Sequence, residues 1–282
     1  MRAPRLIRGV GEARRRARSV KTAFWALCGS ELVGTGLLVA LGCSVVIADF
    51  GVGSPVAHWL PSAVARRVVT GFLFGTVGGA IALSRIGKVS GAHLNPVVTL
   101  AFWMRRTMAG RLALGYVAAQ CVGAVLGAQA LRLWGAMGDS VHWAVTVPGP
   151  SGTLAALLGE TGATACLVGG LFLMLGQPRL RRFTPALFPL LYALLVGVEA
   201  PFSGTSTNPA RTLGPSWVAG IWSGWWIYWI GPAFGTAIAL TVLHVLAEPL
   251  HWEVEVAKLY HFTHDPHGLL RRTPPHPSPG PP

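Results

Sequence analysis

Ser90-Gly-Ala-His-Leu-Asn-Pro-Val-Val-Thr99 returns later in the chain as Ser203-Gly-Thr-Ser-Thr-Asn-Pro-Ala-Arg-Thr212, with Ser, Gly, Asn, Pro and Thr at identical offsets. Each copy reads as a helix start. Asn95 and Asn208 are strong N-cap residues, and Pro96 and Pro209 take the first helical position, where a missing N–H costs nothing. The surroundings make these more than ordinary caps, because both lie in a chain patterned like a membrane-embedded protein. A helix N-terminus at membrane depth presents unpaired N–H groups, and roughly half a positive charge, where there is no bulk water. Such backbone is tolerated only where protein buries it or where it lines a wet cavity. Two of them point to a pore.

The 282 residues are 52% hydrophobic and only 12% charged, with a mean hydropathy of +0.52, which excludes an ordinary soluble domain. Six apolar stretches, at 24–47, 68–84, 112–131, 153–175, 184–201 and 222–247, are each long enough to cross a bilayer as a helix. Two shorter pieces, 95–104 and 208–218, carry the Asn-Pro starts and read as re-entrant half-helices. The expected fold is an all-α membrane protein of six transmembrane helices and two re-entrant half-helices.

A net charge of +13 raises the question of nucleic acid, but its distribution answers it. Eight of the 23 Lys and Arg residues precede the first apolar stretch. Eleven more, at 85, 88, 105, 106, 111, 179, 181, 182, 258, 271 and 272, fall on the same side of a six-span topology. Only Arg66, Arg67, Arg132 and Arg211 fall on the other half. This asymmetry predicts both termini in the cytoplasm of a multi-pass cell-membrane protein, with the arm facing lipid headgroups and no nucleic-acid partner. The first apolar run is too long for a signal peptide and contains Glu31. Cys28, Cys43, Cys121 and Cys166 have no metal-like spacing and read as buried, inert thiols. Six of the nine histidines lie at or beyond His244, but their irregular spacing in a Pro-rich segment argues against a metal site. No cofactor is expected. The chain thus divides into a basic arm (1–23), a channel domain (24–247) and a Pro/His-rich cytoplasmic tail (248–282) expected to be disordered.

The channel domain is itself duplicated. Glu31-Leu-Val-Gly-Thr35 on the first span matches Glu160-Thr-Gly-Ala-Thr164 on the fourth, and Tyr116 with Gly123 matches Tyr228 with Gly235. Repeat one covers 24–134 and repeat two 153–247. Three spans per copy insert the second copy upside down, and inverted repeats place a shared site near the membrane midplane. The half-helices then meet tip to tip. Asn95 and Asn208 can cap their own helices and still aim amide donors into a lumen. Two converging positive helix ends repel a cation, while a neutral molecule accepts two hydrogen bonds and passes. Carbonyls of Gly91, Ala92 and Leu94, and of Gly204, Ser206 and Thr207, are expected to form a ladder of acceptors. Arg211, one turn beyond Asn208, should face a watery path or a partner. For Glu31 and Glu160 one reading is a proton relay; the favoured reading is structural, with each accepting hydrogen bonds from the backbone of a half-helix loop. Glu199 shares a face with Val196 and is a candidate for the outer mouth or for an interhelical hydrogen bond.

Over residues 24–247 the sequence resembles the aquaporin and aquaglyceroporin superfamily, the major intrinsic proteins, through the two ten-residue motifs, Glu31 and Glu160. The resemblance implies an aquaporin-like fold with inverted three-helix repeats and a homotetramer with one pore per subunit. It implies passive conduction of water or small uncharged solutes, with protons and ions excluded. Asn95, Pro96 and Val97, with Asn208, Pro209 and Ala210, correspond to the family's pore centre, and His93 to a histidine lining the cytoplasmic half. The family's narrow outer filter falls on Arg211, Thr205, Val196 and Gly75, with Phe74 one residue away as the alternative. Val97 departs from the usual Ala, and Val196 from the His of water-selective members. The set Gly/Val/Thr/Arg resembles wide-filter, nodulin-like plant channels and their bacterial relatives, which implies passage of glycerol, urea or neutral metalloid acids. The alternatives are a strictly water-selective aquaporin and a coupled secondary transporter. The latter needs a midplane carboxylate where this chain has two Asn. No enzymatic constellation is visible.

Overall fold

The structure, a computed structural model, describes residues 3–247 and 254–271, with backbone alone for 3–16 and 247. Among the described residues six helices are long and apolar enough to cross a membrane: Ala17–Phe50, Ala63–Leu83, Gly110–Asp139, Gly152–Gly176, Arg181–Ser203 and Ile227–Leu246, here spans 1 to 6. The half-helices run Pro96–Met104 and Pro209–Ala219. Span 1 belongs to one continuous helix, Ala3–Phe50, so the basic arm extends the first span rather than forming a separate element.

Glycine sets how closely the spans approach. Gly71, Gly75 and Gly79 form a stripe along span 2, and a Cβ at any of them would collide with the span 5 carbonyls of Tyr192, Phe188 and Pro185. Small residues four apart let backbones touch in this way. The same device joins span 3 to span 1, with Gly123 against the Leu32 carbonyl, and span 6 to span 4, with Gly235 against the Thr161 carbonyl. Leu32 and Thr161 follow Glu31 and Glu160, so the two halves repeat this contact in register. Outward-facing Leu114, Leu126, Leu158, Leu190, Leu194 and Val198 form an apolar exterior that water would not tolerate and that lipid chains solvate. Cys28 and Cys43 are buried, but Cys166 is exposed on this outer face, contrary to the expectation of uniformly buried thiols.

The tail also departs from expectation. Residues 248–253 and 272–282 lie outside the described residues, but 254–271 are folded rather than disordered. Val254, Val256, Ala257, Leu259 and Leu270 are buried. Ala257 N–H donates to the Leu270 carbonyl at 2.7 Å, and Asp265 accepts from Leu269 N–H and Leu270 N–H. Composition pointed to disorder because 248–282 holds eight prolines and five histidines, but six of those prolines lie in 274–282. Within 254–271 there is one proline, Pro266, against eight apolar residues.

Candidate functional site

Asn95 and Asn208 cap their half-helices as their position dictates. Asn95 Oδ1 accepts from Val97 N–H at 3.0 Å, and Asn208 Oδ1 from Ala210 N–H at 3.0 Å and Arg211 N–H at 3.3 Å. Their amide nitrogens cross over. Asn95 Nδ2 donates to the Thr207 carbonyl and Asn208 Nδ2 to the Leu94 carbonyl, both at 2.9 Å. The half-helix tips are therefore locked together. Each amide has a second N–H, and both Asn residues border one narrow cavity of about 40 Å³. That volume holds about three water molecules. Val97 is buried and does not border it.

The loops feeding these tips have the same unusual backbone. Gly91, Ala92 and Leu94 have φ of +92°, +57° and +53°, and Gly204, Thr205 and Thr207 have +85°, +52° and +49°. Left-handed backbone costs about 1–2 kcal/mol at a residue with a Cβ, so four such residues need an external hold. Two fully buried carboxylates supply it. Glu31 accepts from His93 N–H at 3.0 Å, Leu94 N–H at 2.7 Å and Gln120 Nε2 at 2.7 Å. Glu160 accepts from Ser206 N–H at 2.6 Å, Thr207 N–H at 2.7 Å and Ser203 Oγ at 2.6 Å. Tyr116 and Tyr228 donate to the Ser90 and Ser203 carbonyls, each at 2.8 Å. Of the carbonyl ladder, Leu94 and Thr207 accept from the opposite Asn, Ser206 accepts from Thr207 Oγ1, and Gly91 accepts from Leu259 N–H. Each carbonyl retains a second lone pair.

At the Arg211 mouth, the guanidinium is buried, donates to the Ala144 carbonyl at 3.0 Å and lies 6.0 Å from the Phe74 ring centroid. Gly75 does not open that corner: its backbone borders the cavity, but its missing side chain is the point where span 5 packs. The ring at position 74 takes the place that an absent side chain at 75 was expected to leave empty. Thr205 Oγ1 donates to Glu199 Oε2 in a short contact, and Glu199 Oε1 abuts Gly159 on span 4 without a hydrogen-bond partner. Val196 is half-buried against the core.

At the opposite mouth, His93 borders the cavity with its ring stacked on Phe102 at 4.5 Å. Its Nε2 lies 3.0 Å from the Ala257 carbonyl and its Nδ1 3.1 Å from Thr99 Oγ1. A carbonyl only accepts, so the proton sits on Nε2 and Nδ1 accepts from the Thr99 hydroxyl. Lys258 Nζ donates to the Lys88 carbonyl at 2.6 Å. Burial lowers its ammonium to about 8, with Asp265 pulling it up and Lys88 pushing it down.

Several participants carry no sequence signal. Ala144 acts through a backbone carbonyl, which no residue type marks, in a loop whose residues 142–144 all have positive φ. Gln120 lies outside both repeated motifs, whereas Ser203 opens the second of them, so its signal was the repeat itself. Tyr192, which borders the cavity and bonds Thr207 Oγ1 at 2.9 Å, could have been found from its place one turn before Val196.

Two half-helices joined tip to tip inside six membrane spans, with both asparagines bordering one small cavity, define a membrane channel. The chain matches the family model described as major intrinsic protein over residues 18–243. It is 34% identical over 220 residues to "Probable aquaporin TIP4-1" of Oryza sativa subsp. japonica, covering 74% of this chain and 82% of that protein. It is 34% identical over 232 residues to "Aquaporin A" of Dictyostelium discoideum, covering 78% and 77%. An X-ray structure of the aquaglyceroporin from Plasmodium falciparum aligns with a TM-score of 0.66 at 20% identity, over 80% of this chain and 98% of that one, a likeness of fold. The chain belongs to the major intrinsic protein family. It is a multi-pass membrane protein and a passive channel for water, small solutes or both.

Proposed function

We propose that the pore passes water together with small uncharged solutes that have one apolar and one hydroxyl- or amide-bearing side, glycerol foremost, and that it excludes protons and ions. The observation that carries this reading is the pairing of Phe74 with Arg211 at 6.0 Å, with Val196 rather than an imidazole on span 5. Phe74 and Val196 supply an apolar wall. Arg211 supplies donors opposite it and repels cations. The Thr205 hydroxyl is committed to Glu199, so Thr205 contributes its backbone and Glu199 is a positioning residue for it. At the centre, two helix N-termini and two amides favour an oxygen acceptor and disfavour positive charge.

The filter is narrower than Gly75 in its place would make it. A strictly water-selective pore is the second reading, favoured by the Phe74 ring in that corner. Stopped-flow light scattering on proteoliposomes, with water, glycerol and urea gradients, separates the two. Glycerol and urea permeation above empty vesicles is expected, and Val196→His should suppress it more than water. Water flux without glycerol or urea flux contradicts the first reading. The same reading places both termini in the cytoplasm, on the 19-to-4 asymmetry of cationic residues, in a cell-membrane homotetramer with one pore per subunit.

A further inference from the structure

The tail segment 254–271 lies against the mouth that carries His93, and it meets the channel through the pore's own polar groups. His93 Nε2, a donor that borders the cavity, is paired with the Ala257 carbonyl at 3.0 Å. The Gly91 carbonyl, a member of the acceptor ladder, takes Leu259 N–H at 3.0 Å. These are groups that water would otherwise satisfy in a conducting pore. Between them the Leu259 side chain, 3% exposed, borders the same cavity as His93, Asn95 and Asn208. An apolar side chain in a narrow pore, with the neighbouring donor and acceptor already paired, leaves water no partner there, and such constrictions close by dewetting.

The segment is fastened as well as inserted. Lys258 is fully buried and its ammonium caps the end of the short helix Arg85–Ser90 through the Lys88 carbonyl. His261 Nε2 reaches the Leu83 carbonyl at 3.0 Å, and the Arg181 guanidinium sits 5.3 Å from the Phe262 ring. Gly91 leaves room for this docking, because a Cβ there would stand 2.7 Å from the Ala257 carbonyl oxygen.

We propose that residues 254–271 are an autoinhibitory plug, with Leu259 as the stopper, and that the channel conducts fully only when this segment leaves the His93 mouth. The proposal rests on the pore reading above. Against an effective concentration of about 1 mM, a plug that leaves the pore open roughly one tenth of the time needs an intrinsic dissociation constant of about 0.1 mM. Detaching the plug should then raise water permeability about tenfold.

The test uses the full chain carrying a protease site within 248–253, folded and purified, then cleaved or mock-treated before dilution and reconstitution. Water permeability per channel is read by light scattering. Cleavage is expected to raise it about tenfold, and uncleaved Leu259→Gly and Lys258→Ala variants to shift it in the same direction. Leu259→Gly keeps the proposal testable if the inserted site disturbs folding. Equal permeability of the mock-treated, cleaved and Leu259→Gly proteins, at equal amounts of folded protein, overturns the plug. Absence of water flux in every form, cleaved included, overturns the pore reading itself.

Discussion

The two re-entrant loops do the same work at the centre, but the chain enters them differently. In the second half, span 5 runs without a break to Ser203 and turns at Gly204 straight into the loop. In the first half, span 2 ends at Leu83 and Ser84 breaks the helix, its hydroxyl accepting from Ile86 N–H, before the short helix Arg85–Ser90 leads to Gly91. The extra turn leaves a ledge of carbonyls at 83, 88 and 91, and the tail's His261, Lys258 and Leu259 occupy it. The other mouth has no ledge; there the Ala144 carbonyl holds Arg211. The centre is symmetric because both halves must stabilise the same strained backbone. The mouths are free to differ, and on the readings proposed above one sorts solutes and the other closes.

The largest expected effect tests the symmetry. Glu31→Leu and Glu160→Leu each strand two loop N–H groups in a dry interior, at roughly 1–3 kcal/mol per group. Both should sharply lower the monodisperse fraction and thermal midpoint in detergent, to a similar extent. Tolerance of one but not the other would break the equivalence of the loops.

Next comes the filter mouth, where adjacent residues should behave oppositely. Gly75→Leu drives a side chain into the span 5 backbone and should destabilise by about 3 kcal/mol, read as a lowered thermal midpoint. Phe74→Ala should keep the fold and raise glycerol permeability relative to water by roughly tenfold. Loss of fold in both, or no change in selectivity with Phe74→Ala, would contradict the placement of the ring beside Arg211.

The last test belongs to the ledge, where the sign of the effect decides. Docking lowers Lys258 from an ordinary 10.5 to about 8, so the docked tail binds fewer protons than the free tail between those values. Alkalinity therefore favours docking: water permeability of the full chain should fall as pH rises through about 8 and level off near 10.5. The groups facing Lys258 are Lys88 on the ledge and Asp265 on the tail, with His261 and His264 in the same segment. A cleaved channel should show no such dependence. A rise with pH would mean that the ammonium's bonds to the ledge outweigh its burial.

Legibility in the sequence followed how local the chemistry is. Six spans and two half-helices could be read because hydropathy and an Asn-Pro start are properties of short stretches. The register of span 2 could not, since a helix apolar all round has no polar face to say which side meets the lumen. Its Gly71, Gly75 and Gly79 stripe was nevertheless visible, and small residues at that spacing mark a helix contact rather than a pore wall. Ala144 had no signal because a carbonyl is common to every residue. The tail misled because the prolines that mark a loose end cluster at 274–282, while the side chains that dock, Leu259 and Lys258 above all, lie upstream of them in 254–271.

The central claim is that two helix N-termini and two asparagine amides, locked tip to tip, make a path for neutral molecules alone. Its most direct test is the simultaneous measurement of water and proton flux in proteoliposomes holding the tail-cleaved channel, with light scattering outside and a trapped pH-sensitive dye inside. The account predicts water permeability well above empty vesicles, with proton leakage indistinguishable from theirs. Proton flux that rises in step with water flux would contradict it.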